Sequence, residues 1–200
     1  MPSMVAIGDS LVNGLTKEVA GVPGKSWARW VAETEGMEYR QYAKGGLTST
    51  RIVNELLPQV QGRHDYGVFN MGTNDALKGL DAAVLRANAE KAAATLTSCC
   101  DRVMVLDVAV SPVASGIIHE VAADFGLTVI DSRLSGPLLF QPDGIHPTAV
   151  GQLIIADRAA DALGFKSPST TVTVGRLGVR YFVRYGLRWA KFKTRSILRG

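Results

Sequence analysis

Short apolar segments alternate five times with segments of helical periodicity, and no other feature of the sequence restricts the fold as much. Strands are predicted at residues 4–7, 38–43, 66–71, 102–110 and 127–130. Helices are predicted at residues 27–35, 50–57, 82–97, 115–125 and 147–163. Because a helix that joins two parallel strands forms a right-handed crossover, this alternation predicts an α/β fold. We expect three layers, with a five-stranded parallel sheet between two layers of helices.

Polar motifs lie where the predicted strands end, and the first of them contains a candidate nucleophile. The segment Ile7-Gly8-Asp9-Ser10 places a serine directly after a buried strand. A rigid strand that delivers a small hydroxyl residue to an uncrowded, glycine-containing loop is typical of a catalytic serine. Gly, Asp and Ser also form ordinary turns. The motif therefore has a catalytic role only if the chain supplies a base, an orienting carboxylate and oxyanion donors.

His146 is the predicted base among the three histidines. His64 lies in a polar segment and is expected to be solvated, and His119 is expected at or near the surface of a helix. His146 follows Asp143 by three residues. This spacing lets the carboxylate reach the far imidazole nitrogen, so that the other nitrogen can take a proton from Ser10. The alternative is that Asp143 only forms an Asx turn that caps the last helix.

Four motifs together resemble the SGNH hydrolases, also called the GDSL esterase/lipase family. That family is named for a Ser, a Gly, an Asn and a His in four separate blocks, which here are Ser10, Gly46, Asn74 and His146. The blocks occur in the family's order between positions 8 and 147. The resemblance implies a flavodoxin-like strand order of 2-1-3-4-5 and a triad that Asp143 completes. It also implies an oxyanion hole formed by the backbone N–H groups of Ser10 and Gly46 and by the Asn74 amide.

The predicted function is hydrolysis of carboxylic esters through an acyl-enzyme intermediate. A short-acyl or lipid esterase and a carbohydrate O-deacetylase of the same family are the two alternatives for the substrate. A third alternative is a non-catalytic binding or structural module on a hydrolase fold. The sequence contains no cluster of metal ligands, so we expect neither a metal nor another cofactor.

The walls of a substrate pocket are predicted less directly. Short connections between the predicted elements indicate an open groove that takes small or surface-presented acyl esters. Leu138, Leu139 and Phe140 precede Asp143 and either line an acyl pocket or pack against the edge of the sheet. Val113, which follows the fourth predicted strand, is a second candidate for the pocket wall.

The charge distribution divides the chain into a hydrolase domain, residues 1–166, and a basic tail, residues 167–200. The tail has eight Lys or Arg and no acidic residue, whereas the domain has 14 basic and 18 acidic side chains. Arginines recur every fourth residue from Arg176 to Arg188. Aromatic residues occupy the opposite side of a helix predicted at residues 180–198. A strand also fits, because every odd position from 177 to 189 is apolar.

An amphipathic basic helix is typical of a segment that lies on an anionic membrane. The alternatives are that the tail packs on the hydrolase domain or on a second subunit. Eight positive charges also allow non-specific contact with phosphates, but we do not expect specific nucleic-acid binding.

Two further expectations concern the compartment and the cysteines. No apolar run approaches the ~18 residues of a membrane span, and the N-terminal residues have no basic region of a signal peptide. We therefore expect a cytoplasmic protein, with peripheral membrane association or release by lysis as alternatives. Cys99 and Cys100 are adjacent, so they close almost no loop and are predicted to be free thiols.

Overall fold

Five parallel strands form one sheet in the order β2-β1-β3-β4-β5, which confirms the predicted fold and strand order. The computed structural model describes residues 1–14, 16–79 and 81–197, with side chains of the last helix as far as residue 194. The strands are β1 Ser3–Gly8, β2 Glu38–Ala43, β3 His64–Asn70, β4 Cys100–Leu106 and β5 Thr128–Ile130.

Eight α-helices are assigned within the described residues. They are α1 Ser10–Asn13, α2 Trp27–Thr34, α3 Ser49–Arg51, α4 Thr73–Lys78, α5 Ala82–Cys99, α6 Pro112–Phe125, α7 Ala149–Leu163 and α8 Val179–Ile197. A π-helix, Ile52–Leu56, and a 3₁₀ turn, Leu57–Gln59, continue α3, and a second 3₁₀ turn spans Pro168–Thr171. Helices α2 and α7 pack together on one face of the sheet, and α5 and α6 pack together on the other.

The two faces of the sheet bury separate apolar clusters, and β1 contributes to both. Successive side chains of a strand point to opposite faces. Met4 and Ala6 therefore pack with α2 and α7, whereas Val5 and Ile7 pack with the cluster that contains α5 and α6. All four are fully buried, so the strand that leads to Ser10 is held from both sides.

Polar side chains begin the longer helices by accepting hydrogen bonds from free backbone N–H groups. Ser26 accepts from Arg29 N at 3.3 Å, and Asp81 accepts from Ala83 N at 2.6 Å, so α2 and α5 begin at the predicted residues. Thr148 caps α7 by accepting from Gly151 N at 3.1 Å. The last helix of the domain therefore begins two residues later than predicted.

The second helix, the fourth strand and the environment of His64 are among the local predictions that differ from the structure. The helix predicted at 50–57 is α-helical only at its start, because Pro58 has no N–H to donate to the preceding turn. The fourth strand ends at Leu106, so residues 107–110 leave the sheet. His64 is buried at the start of β3, where Nε2 lies 3.2 Å from Gln61 O, and the prediction of a solvated histidine was wrong.

The tail is helical, and the alternative of a strand is wrong. Helix α8 spans Val179–Ile197, and the predicted end at Leu198 lies outside the described residues. In the segment that precedes α8, Gly175 N donates to Ala20 O at 2.8 Å. Among the helices that the structure describes, none combines the length and the apolar character needed to cross a membrane.

Two glycines inside helices have opposite surroundings, and this predicts opposite effects of substitution. A Cβ at Gly151 in α7 would lie 2.2 Å from Leu139 O, whereas a Cβ at Gly116 in α6 would have no neighbour within 4 Å. We expect Gly151→Ala to lower the free energy of unfolding by about 1–3 kcal/mol through overpacking. Gly116→Ala is the matched control and should raise it by about 0.5–1 kcal/mol. Urea unfolding of both variants tests this, and equal effects would contradict the close approach of α7 to Leu139.

Candidate active site

The turn after β1 presents Ser10 at the carboxyl edge of the sheet. Asp9 caps α1 by accepting from Leu11 N at 2.9 Å, and Ser10 is the first residue of that short helix. A Cβ at Gly8 would lie only 2.7 Å from Asn70 O. Glycine at this position therefore lets the ends of β1 and β3 approach each other directly below the serine.

Ser10, His146 and Asp143 form one chain of hydrogen bonds. Ser10 Oγ lies 2.8 Å from His146 Nε2, and His146 Nδ1 lies 2.8 Å from Asp143 Oδ2. Asp143 Oδ1 accepts from the backbone N–H groups of Ile145 and His146, at 2.9 Å each. The Asx turn considered from the sequence is thus present, but it orients the imidazole instead of capping α7, whose cap is Thr148.

The ionisation of this chain follows from its contacts. The hydrogen bond that His146 donates to Asp143 raises the pKa of His146 above its ordinary value of 6.5, although burial alone would lower it. Burial opposes ionisation of Asp143, but the hydrogen bonds from His146 and Ile145 outweigh it and hold the pKa of Asp143 below its ordinary value. The carboxylate therefore stays charged and stabilises a proton on the imidazole.

The loop that contains Gly46 lies beside Ser10, and Asn74 approaches from α4. Gly46 has a φ of +77°, and a Cβ there would meet no atom within 4 Å, so the loop is open on that side of Gly46. A Cβ at the preceding Gly45 would lie 3.7 Å from Ser10 Cβ. Asn74 Nδ2 lies 3.0 Å from Leu47 O and 3.3 Å from an oxygen of Asp9. The side-chain amide of Asn74 thus lies between the Gly46 loop and the turn of Ser10.

Asp9 is a residue of the site that was not predicted, because aspartate next to glycine and serine is also typical of an ordinary turn. Besides the N–H of Leu11, its Oδ1 accepts from Asn70 Nδ2 at 2.6 Å, and its Oδ2 contacts Asn74. Burial raises the pKa of Asp9 to about 6, although its hydrogen bonds to Leu11 and Asn70 favour the charged form. The carboxylate joins the ends of β1 and β3 to α4. Its position beside Ser10 and the polar Asn70 at a strand end were the available signals.

A second carboxylate holds the Gly46 loop to α4. Asp75 is buried, and its oxygens accept from Ser49 N at 2.9 and 3.1 Å and from Ser49 Oγ. Asn88 on α5 donates to Ser49 Oγ at 3.0 Å. These bonds connect the beginning of α3, just after the Gly46 loop, with the residue next to Asn74. Two of the candidate oxyanion donors are therefore carried by segments that are bonded to each other.

The predicted pocket residues lie in three different environments. Leu138 and Leu139 pack against the apolar cluster on the α2 and α7 face. Val113 is exposed on α6 and lines a shallow depression between α5 and α6. Phe140 alone of the four lines a small cavity with Leu11, Thr73 and Ile145, which are the sequence neighbours of Ser10, Asn74 and His146.

A second Ser, His and Asp set has a different arrangement. Asp107 follows β4, and its Oδ1 accepts from Ser115 Oγ at 2.6 Å and lies 3.5 Å from His119 Nε2. The serine here donates to the carboxylate and not to the imidazole, so the set has no base that could activate it. Within the described ranges, no three His, Cys, Asp or Glu side chains are grouped as ligands of a metal ion.

Comparison with known proteins agrees with this fold and with the family resemblance. The sequence model of the GDSL-like Lipase/Acylhydrolase family matches residues 6–154. No curated protein matches the sequence.

Several solved structures are similar over most of the chain. TesA is 21% identical with a TM-score of 0.64, and the match covers 80% of this chain and 97% of TesA. The psychrotrophic esterase EstA from Pseudoalteromonas sp., in a structure inhibited by monoethylphosphonate, is 17% identical with a TM-score of 0.61, covering 82% and 97%. An acetyl xylan esterase from Geobacillus stearothermophilus is 15% identical with a TM-score of 0.60, covering 82% and 95%. At these identities the likeness concerns the fold alone.

The charge of Asp143 predicts how His146 titrates. We expect the imidazole of His146 to titrate above 6.5 and its pKa to fall in Asp143→Asn, because the amide no longer stabilises the imidazolium. The Asn oxygen can still accept from the two backbone N–H groups, so the turn should persist. Ring-nitrogen chemical shifts measured by NMR over a pH series test this, with His119→Gln as a control that assigns the exposed histidine. A pKa of His146 that Asp143→Asn leaves unchanged would contradict the assigned contact.

Proposed function

This chain belongs to the GDSL-like lipase/acylhydrolase family, and from that membership we propose that it is a serine hydrolase of carboxylic esters. The observation that carries the proposal is the continuous hydrogen-bonded chain from Ser10 Oγ through His146 to Asp143, with two distances of 2.8 Å. A serine hydroxyl becomes nucleophilic when a neighbouring base takes its proton, and this contact supplies the base.

The proposed reaction has two halves. Ser10 Oγ attacks the ester carbonyl while His146 Nε2 accepts the hydroxyl proton, which gives a tetrahedral intermediate. His146 then returns that proton to the departing alcohol oxygen, and the carbonyl forms again as an acyl-enzyme. In the second half His146 takes a proton from water, the resulting hydroxide attacks the acyl carbonyl, and the proton passes back to Ser10 as the acid leaves.

We assign the oxyanion to donors from three segments. These are the backbone N–H groups of Ser10 and Gly46 and the side-chain amide of Asn74. One N–H of Asn74 is held by Leu47 O at 3.0 Å, and we assign the other, whose 3.3 Å contact with Asp9 is longer, to the oxyanion. Binding the oxyanion replaces the longer contact of this N–H with Asp9, and removing one such donor typically costs 10²–10³ in kcat.

We propose that a short acyl group enters the small cavity lined by Leu11 and Ile145, the sequence neighbours of Ser10 and His146. The cavity has a volume of about 20 Å³ and is bounded by Phe140, Leu11 and Ile145 among others. That volume is little more than one water molecule requires, so a long acyl chain does not fit without rearrangement. The same observation favours a carbohydrate O-deacetylase as the second candidate, because an acetyl group has only one carbon beyond its carbonyl.

The proposed nucleophile is tested with a matched pair of serines. We expect Ser10→Ala to reduce kcat on p-nitrophenyl acetate by at least about 10³-fold, whereas Ser115→Ala, in the second Ser, His and Asp set, should retain near-normal turnover. Asn74→Ala should lower kcat by a factor of about 10²–10³. A fluorophosphonate probe should label Ser10 in the native protein. Near-normal ester hydrolysis by Ser10→Ala would contradict the mechanism. If the native protein hydrolyses no ester, the result would favour the non-catalytic binding or structural module.

The acyl cavity predicts substrate size. We expect kcat/KM to be highest for acetyl esters and to fall along a p-nitrophenyl series from acetate to octanoate. Phe140→Ala should shift the preference towards longer chains, since it enlarges the cavity. Leu138→Ala is the control, because it removes core packing and should lower stability without changing the preference. Hydrolysis of acetylated sugars at a higher kcat/KM than p-nitrophenyl acetate would favour the O-deacetylase.

A further inference from the structure

Helix α8 exposes an apolar face. The side chains of Val179, Phe182, Val183, Leu187 and Trp189 have relative exposures of 78%, 48%, 56%, 68% and 48%. On a helical wheel of 100° per residue they lie within one arc of about 160°. A contiguous exposed patch of this kind marks a surface that binds a partner or a membrane.

The adjacent face of α8 is basic and forms one wall of a cavity of about 720 Å³. Arg180, Arg184 and Arg188 line it from the helix, together with Tyr181 and Tyr185. Residues 16–19 and Gln141, Pro142 and Thr148 form the other walls. Glu18 is the one acidic residue among these lining residues, whereas Lys17 and the three arginines are basic, so the cavity has an excess of positive charge. Guanidinium groups suit a phosphate.

This cavity lies beside the candidate active site. Tyr181 donates its hydroxyl to Pro137 O at 2.8 Å, and the hydroxyl of Tyr185 lies 3.5 Å from Gln141 O. Gln141 and Pro142 lead directly into Asp143. Helix α8 is thus attached to the segment that carries two of the three residues in the Ser10 hydrogen-bonded chain.

We propose that α8 docks the protein on an anionic lipid surface. The apolar face enters the boundary of the acyl chains, with Trp189 at the interface, and the arginine-lined cavity receives a lipid phosphate. Docking of this kind depends on buried apolar area together with attraction to anionic headgroups, and α8 has both. It places the active-site segment next to esters that the surface presents. This last consequence rests on the proposed function, whereas the docking itself does not.

Charge argues against the two other occupants of this face. A second copy that paired α8 with α8 would bring together two helices that each carry five Lys or Arg and no acid between Val179 and Thr194. A nucleic acid would satisfy the arginines but would leave the apolar face in water. An anionic membrane satisfies both faces at once.

The test is sedimentation of the full chain with vesicles. We expect binding to vesicles of phosphatidylglycerol and phosphatidylcholine, weaker binding in 1 M NaCl, and little binding to phosphatidylcholine alone. Val183→Asp should abolish binding, while Val84→Asp, on the exposed surface of α5, should not. The double variant Arg184→Gln, Arg188→Gln should lose about 30-fold in partitioning, at about 1 kcal/mol for each charge. The control is Arg40→Gln, Arg63→Gln, which removes the same charge from two other exposed sites.

Each outcome decides the proposal separately from the proposed function. Hydrolysis of p-nitrophenyl acetate reports on the active site, and Val183→Asp should leave it unchanged, since Val183 contacts neither the triad nor the cavity. Equal binding to both kinds of vesicle, or equal loss in the test and control variants, would overturn the proposal. A dimer that Val183→Asp dissociates, with no vesicle binding, would assign the face to a second copy. Vesicle binding by a protein without esterase activity would uphold the docking and refute only the proposed function.

Discussion

The buried carboxylate of Asp9 is the contact on which the candidate site depends. It accepts hydrogen bonds from the turn of Ser10, from Asn70 at the end of β3 and from Asn74 on α4. Burial raises the pKa of Asp9 to about 6 and so outweighs the hydrogen bonds from Leu11 and Asn70, which favour the charged form. The carboxylate thus fixes the distance between the nucleophile turn and the amide of Asn74. This distance matters because a misplaced oxyanion donor loses most of its effect.

Two sets of Ser, His and Asp in one chain show why composition alone does not identify a site. In the first set the imidazole lies between the hydroxyl and the carboxylate, so that a proton can move from Ser10 to His146. In the second set the carboxylate of Asp107 lies between Ser115 and His119. The Ser115 hydroxyl there donates to the Asp107 carboxylate, which is a much weaker base than an imidazole. The order of contacts, and not the residue types, separates the two chemistries.

Periodicity and strand-end motifs predicted the parallel sheet, and the family resemblance supplied its strand order. For the tail they favoured a helix but left a strand as the alternative. These features depend on local patterns and on which face a residue occupies. The network around Asp9 was not predicted, because its partner Asn70 is 61 residues away and looks like the end of an ordinary strand. The burial of His64 was missed for a similar reason. His64 lies in a polar segment of the sequence, but it pairs with Cys100 of β4 and therefore lies within the sheet.

The start of α7 adds a mechanical property to the site. Thr148 donates its backbone N–H to Leu139 O and its hydroxyl to Leu138 O, and the same oxygen of Leu139 lies against Gly151. The segment that carries His146 is therefore fastened to a buried helix on its far side. In the proposed reaction, this attachment limits how far the loop of His146 moves when the imidazole gains or loses a proton.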